Sequence, residues 1–102
     1  MKSVLVKDLY RHTKDFSDKE VTLQGWVRTV RDSKTFGFIE LNDGSFFKNV
    51  QIVFNDGLDN FEDICKMTIS SSIEVTGTLV VTENAKQPFE IQAEKVNILS
   101  NS

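Results

Sequence analysis

Cysteine is nearly missing from this sequence: Cys65 stands alone among 102 residues. An internal disulfide is therefore impossible, and a cysteine-based zinc site is excluded. Cys65 falls in an apolar helical pattern, so it reads as a core thiol and not as a reactive one. Histidine is equally scarce. His12 has no second histidine and no nucleophile at useful spacing, and it reads as an exposed helical residue. No catalytic residue and no metal ligand is assigned. Long apolar runs are missing too: none approaches a bilayer span, and MKSVLVKDLYRH lacks the apolar stretch and small-residue cleavage site of a signal peptide. A cytoplasmic location is expected. With no internal repeat, low-complexity tract or linker, residues 1–102 read as one domain, long enough to bury a modest core.

A surplus of basic charge is also lacking. The net charge is −3, whereas a nucleic-acid binder usually leans the other way. Its distribution softens that objection. Residues 1–20 carry five basic and four acidic side chains, residues 21–54 four and three, and residues 55–102 three and eight. A locally basic surface remains possible on an acidic protein, but not an electrostatic clamp.

What the chain does contain is alternation. LVKDLYRHT puts Val6, Leu9, Tyr10 and Thr13 at helical spacing after Ser3, a candidate cap. From Val21 the period becomes two. In VTLQGWVRTVR one face holds Val21, Leu23, Gly25, Val27 and Thr29, and the other Gln24, Trp26, Arg28 and Val30, with Gly25 permitting a bend or bulge. After a turn at 32–34, GFIELNDGSFFKNVQIVF reads as two strands joined at Asn42-Asp43-Gly44. Ile39, Leu41, Val50, Ile52 and Phe54 face inward, and Phe38, Glu40, Phe47, Asn49 and Gln51 outward. Leu58, Phe61, Ile64 and Cys65 form a helical stripe with Asn55 and Asp56 as candidate caps. Strand four buries Ile73, Val75, Leu79 and Val81, and strand five buries Phe89, Ile91 and Ala93. Five strands with a helix between the third and fourth describe the OB-fold, an all-β, five-stranded Greek-key barrel, here preceded by a short helix. An SH3-like barrel and an open α+β sheet are the rival architectures.

OB barrels bind ligands across the outer face of strands two and three, helped by the loops joining strands one to two and four to five. Phe38 lies on that face. An exposed ring there offers a stacking platform for an unpaired base, worth ~1–3 kcal/mol. Gln51 adds an amide that both donates and accepts, and so matches a uracil edge, where a carbonyl accepts and the ring N–H donates. Arg28, Arg31 and Lys34 are candidates for phosphate contact or planar stacking. Glu90, beside the loop holding Asn84 and Lys86, is placed to accept from a base N–H. The competing reading covers Phe38 with the first helix or another domain, leaves Gln51 an ordinary outward residue, and makes the arginines solubilising charges.

Taken in order, GWVRTVRDSKTFGFIELNDGS, VQIVFND, EVTGTLV and FEIQAEKV resemble the N-terminal anticodon-binding domain of the asparaginyl-tRNA synthetases, over about Val21 to Val96. GWVR and the VQ of strand three are shared with aspartyl and lysyl relatives, while RDSK, DGS and FEIQA are most like the asparaginyl enzymes. The resemblance implies that Phe38 stacks on the central anticodon uridine and that Gln51 hydrogen-bonds it. It sets Arg28 near the anticodon backbone and Glu90 near the flanking bases. Val30 departs from the pattern, since several relatives carry a basic residue there. The resemblance also implies a longer, homodimeric class II enzyme using ATP, magnesium, asparagine and tRNA. This chain would then be its N-terminal fragment, or alternatively a freestanding paralogue of that domain, with no cofactor and no adenylate-forming activity of its own. The alternatives are a general single-stranded nucleic-acid binder, an aspartyl-type anticodon domain, and a protein-interaction domain using the same barrel face.

Overall fold

The two-residue period of the apolar side chains produces a closed barrel in the order β1-β2-β3-β5-β4. The structure is a computed structural model that describes residues 4–32, 35–66, 71–82 and 89–100. Along the chain run α1 (Val6–Arg11), a single 3-10 turn (Thr13–Phe16), β1 (Glu20–Asp32), β2 (Phe36–Asn42), β3 (Val50–Asn55), α2 (Phe61–Cys65), β4 (Ser72–Val81) and β5 (Phe89–Ser100). All neighbouring strands are antiparallel except β3 and β5, whose parallel pairing closes the barrel. With α2 between β3 and β4, this is the expected OB architecture. No described helix is long and apolar enough to cross a membrane.

The interior is filled from every strand. Leu23, Val27, Ile39, Leu41, Ile52, Phe54, Ile73, Leu79 and Ile91 are fully buried, and Val6, Leu9 and Ile64 of the two helices complete the same cluster. The helices pack toward opposite ends of β3. Tyr10 of α1 donates its hydroxyl to the Asn49 carbonyl at 2.5 Å, while Phe61 of α2 meets the Phe54 ring at 5.5 Å.

β1 is long because it belongs to two ladders. Residues 20–26 pair with β4 and residues 26–32 with β2, so Trp26 faces Asn42 on one side and Ser72 on the other. Gly25 sits at this changeover, where a Cβ would lie 2.5 Å from the Asn42 carbonyl oxygen. The glycine therefore admits a close backbone approach, and the bulge lies elsewhere. It falls between Val27 and Thr29, leaving Arg28 as the extra residue. This reverses the parity expected for the end of the strand. Val30 turns in against the core opposite Ile39, and Thr29 turns out opposite Glu40.

Other expectations from the sequence are corrected at the element ends. The β2–β3 connection is not a tight turn at 42–44 but a loop over 43–49, so Phe47 and Asn49 are loop residues. Residues 33 and 34 of the first turn lie outside the described residues. Val81, at the last rung of the β4–β5 ladder, is 37% exposed because the barrel core ends at Leu79 and Phe89. α2 is only five residues long, and Asn55 accepts from the Gly57 N–H in a local turn instead of capping it. Cys65 is half-buried and packs against the core instead of lying within it.

The loop also supplies the caps of α1. Ser3 lies outside the described residues, and the N-cap position, Leu5, has no side-chain acceptor. Asp43 Oδ2 instead accepts from the Val6 N–H at 2.9 Å, and Ser45 Oγ from the Lys7 N–H at 3.1 Å. Asp43 Oδ1 meanwhile accepts from the Ser45 N–H and hydroxyl, which fixes the loop that holds the helix. A first-turn donor left without its acceptor costs about 1 kcal/mol. Replacing Asp43 by Ala should therefore lower stability by ~1–2 kcal/mol, read as a shift of the urea midpoint with unchanged slope.

One surface pair works against folding. The Glu20 carboxyl neighbours that of Glu94, and the hydrogen bond the protonated form can donate, together with the mutual repulsion of the charged forms, raises the Glu20 pKa above its ordinary value of 4.5. A carboxyl raised in the folded state favours folding where it is protonated, and that contribution is lost as pH rises through its folded pKa. Glu20→Gln is accordingly expected to raise the melting temperature at neutral pH. The gain should fade as pH falls toward 4.5, which thermal melts across that range would check.

Candidate nucleic-acid interface

The outer face of β1, β2 and β3 carries a row of side chains brought together by register. Arg31 is opposite Phe38, Thr29 is opposite Glu40, and Glu40 is opposite Gln51 on its other side. Phe38 and Gln51 are thus diagonal neighbours, within reach of one another for a ring and a long amide. These five residues line one hollow of about 250 Å³. That is below the ~300–1,000 Å³ typical of small-molecule pockets, and an open hollow of this size suits one planar group laid against a ring.

Phe38 remains 37% exposed, so neither helix covers it. Its orientation is set from beside it. Phe36, two residues back on the same face and 42% exposed, meets it edge-on with centroids 5.5 Å apart and planes at 88°. Between them Gly37 points inward, where a Cβ would lie 2.5 Å from the Phe54 ring. The core ring fills the space under the strand, and both outer rings are left on the surface.

The floor of the hollow is tied to the β2–β3 loop and to α1. Asn49 Nδ2 donates to Glu40 Oε2 at 3.5 Å, and Asn49 Oδ1 accepts from Asn42 Nδ2 at 3.0 Å. Burial, and secondarily the Glu40 charge, raise the Tyr10 phenol above its ordinary value, so it stays a donor to the Asn49 carbonyl. Tyr10 also stacks on Phe46 at 4.8 Å. Next along the loop, Phe47 is 80% exposed with the Lys48 ammonium 5.7 Å from its ring centre.

Of the residues singled out from the sequence, the structure brings Phe38, Gln51 and Arg31 into this hollow. Arg28 sits at the bulge, exposed and outside the lining. Glu90 is half-buried on the outward side of β5 and does not line it either. The Ile52–Ile91 pairing sets Gln51 and Glu90 one step back on adjoining strands. Lys34 and Lys86 lie outside the described residues. Thr29 and Phe36 were missed, and Glu40, read as outward, was given no role in the site. The bulge hid Thr29, whereas Phe36 and Glu40 stand two residues on either side of Phe38 and were open to the same alternation argument. Among the described residues, no group of three or more His, Cys, Asp or Glu is placed to hold a metal ion.

A closed five-stranded barrel with a helix between β3 and β4, carrying an exposed ring and an amide on its β2–β3 face and a cation beside them on β1, has the architecture and the ligand face of an OB-fold. Residues 21–99 match the family of OB-fold nucleic acid binding domains, and the chain belongs to that family. Among known proteins it is 62% identical over 102 residues to an asparagine–tRNA ligase of Clostridium acetobutylicum and 60% identical to that of Clostridium kluyveri. Each match covers all of this chain and 22% of the relative, so the chain spans about a fifth of the length of the curated relatives it matches. The fold superposes on a crystal structure of asparaginyl-tRNA synthetase from Pyrococcus horikoshii with a TM-score of 0.85, covering 100% of this chain and 23% of that one at 24% identity. The resemblance to the asparaginyl-tRNA synthetase anticodon-binding domain is borne out.

Arg31 and Arg28 offer a contrast. Each phosphate contact on a single strand contributes ~0.7 to the slope of log affinity against log salt. Arg31→Ala should weaken binding to single-stranded RNA whatever its sequence and lower that slope by ~0.7. Arg28→Ala, outside the hollow, should change both less. Fluorescence anisotropy over a salt series measures the two together.

Proposed function

We propose that the Phe38–Gln51 hollow receives the central uridine of the asparagine anticodon, GUU, and that this chain is the anticodon-binding part of a longer asparagine–tRNA ligase. The observation that carries the reading is the convergence of ring, amide and guanidinium on one hollow of single-base size. The Phe38 face supplies stacking, which any base satisfies. The Gln51 amide supplies edge hydrogen bonds, which only some bases satisfy. Arg31, opposite Phe38, meets the backbone phosphate next to the stacked base. Glu90 and Lys86 meet the flanking bases and Lys34 the loop backbone, while Arg28, outside the hollow, lies near that backbone at longer range.

The names of the matched relatives support the asparagine assignment. In this reading the whole ligase works in the cytoplasm, as a homodimer. Its remaining part holds ATP, magnesium and asparagine and carries out the ligation. This chain contributes selection of the tRNA and no step of the chemistry.

Binding to anticodon stem-loops separates the two roles. Phe38→Ala should weaken every loop, by ~1–3 kcal/mol. Gln51→Ala should mainly erode the preference for a central uridine, by ~1–2 kcal/mol, because a desolvated edge loses its partner. Equal losses on all loops for both variants would contradict the assignment. So would equal affinity of the native chain for GUU and scrambled loops, the behaviour of a general single-strand binder.

A further inference from the structure

Gln51 by itself cannot tell uracil from cytosine. Rotating its amide by half a turn exchanges carbonyl and NH₂, so it can satisfy a ring N–H donor or a ring nitrogen acceptor at the same position. Among the described residues no side chain hydrogen-bonds that amide and fixes its sense. Its nearest charged neighbour by register is Glu40, directly opposite on β2 and part of the same hollow. An ionised carboxylate only accepts. Glu40 Oε2 is engaged by Asn49, which is in turn held by Asn42 and Tyr10, while Oε1 has no partner among the described residues.

We propose that Glu40 is the residue that makes this hollow select uracil over cytosine, by drawing the Gln51 NH₂ toward its free carboxylate oxygen and so turning the Gln51 carbonyl to the incoming base. The inference rests on the reading of the hollow as a base site. With that sense fixed, the site presents acceptors where uracil offers its ring N–H, and the same acceptors face a lone pair when the base is cytosine. The mismatched base then leaves buried polar groups unpaired, the usual source of strong rejection. The carboxylate adds no affinity of its own: a negative charge facing RNA opposes binding of any strand. Glu40 therefore acts through another residue, as a positioning group, and its signature is a ratio of affinities. Held by Asn49 and flanked by Thr29 and Gln51, it stands at the middle of the three-strand row, where an acceptor serves both neighbours.

The test measures binding of this chain to two stem-loops that differ only in the central anticodon base, U or C. Glu40→Gln keeps the shape but offers an amide that turns either way. Its U-over-C ratio should fall about ten-fold. Glu40→Ala should lower the ratio likewise, which keeps the test decisive should one variant fold poorly. Glu40→Asp, which retains the charge, should keep most of the ratio. An unchanged ratio in Glu40→Gln and Glu40→Ala overturns the inference and leaves the Phe38–Gln51 assignment standing. A ratio lost as fully in Glu40→Asp overturns it too. A native chain that binds the U and C loops alike overturns both.

Discussion

One extra residue in β1 decides which side chains this domain shows to a ligand. Strand pairing has a strict period of two, so a one-residue offset moves every later side chain to the other face. Here the offset falls at Arg28, inside the stretch bound to β2 and two residues past the end of the stretch bound to β4. Ahead of it Val21, Leu23 and Val27 fill the barrel, and beyond it Val30 packs, partly buried, against that core. The bulge lets a single strand serve both walls while keeping an apolar residue inward on each. As a result Thr29 and Arg31 are delivered to the β2–β3 surface. Without it, Thr29 would take the inward position of Val30 and Arg31 would leave Phe38. The packing of the barrel and the composition of the hollow are two consequences of one register.

The β2–β3 loop joins the second pair of requirements. It caps α1 through Asp43 and Ser45, and it holds Glu40 through Asn49. A short helix with no side-chain cap of its own is marginal in isolation, and here long-range partners satisfy its first-turn donors. The same contacts anchor the seven-residue loop beside the hollow. Tyr10 completes the link, with its ring stacked on the loop and its hydroxyl on the Asn49 carbonyl. Ordering α1 and ordering the floor of the site are therefore one event.

Much of this was legible in the sequence, and the rest was hidden for definable reasons. Strand identity followed from alternation strong enough to survive local propensity, and every residue assigned inward on β2, β3 and β5 is buried, although Val96, past the irregularity in the β4–β5 ladder, was not among them. Phe38 and Gln51 emerged from the same rule, as the ring and the amide left on the outer side. The rule failed where backbone geometry breaks the period. Gly25 drew attention as the site of a bulge because glycine permits one, yet its role is a close approach to Asn42 across the sheet, a contact invisible before the ladder is known. The loop over 43–49 was misread because SFFKNV carries strand-like residues, although their donors and acceptors are used within the loop and by α1. The caps of α1 were sought just ahead of the helix, where caps usually lie, and they came from 37 residues away.

A net charge of −3 constrains how such a surface works on a polyanion. Counterion release scales with the number of phosphates neutralised, and the described part of this face offers one guanidinium inside the hollow and one beside it. Strands of every sequence gain equally from those cations, so they cannot choose among anticodons. Stacking on Phe38 is nearly as indiscriminate. Selection must come from groups whose hydrogen-bonding sense is fixed before the base arrives, because an adaptable amide dissipates the difference it is meant to read. An acidic residue in the hollow proposed to receive RNA looks counterproductive on affinity alone. It becomes intelligible when the quantity at stake is the gap between two bases, since repulsion shared by both leaves that gap untouched.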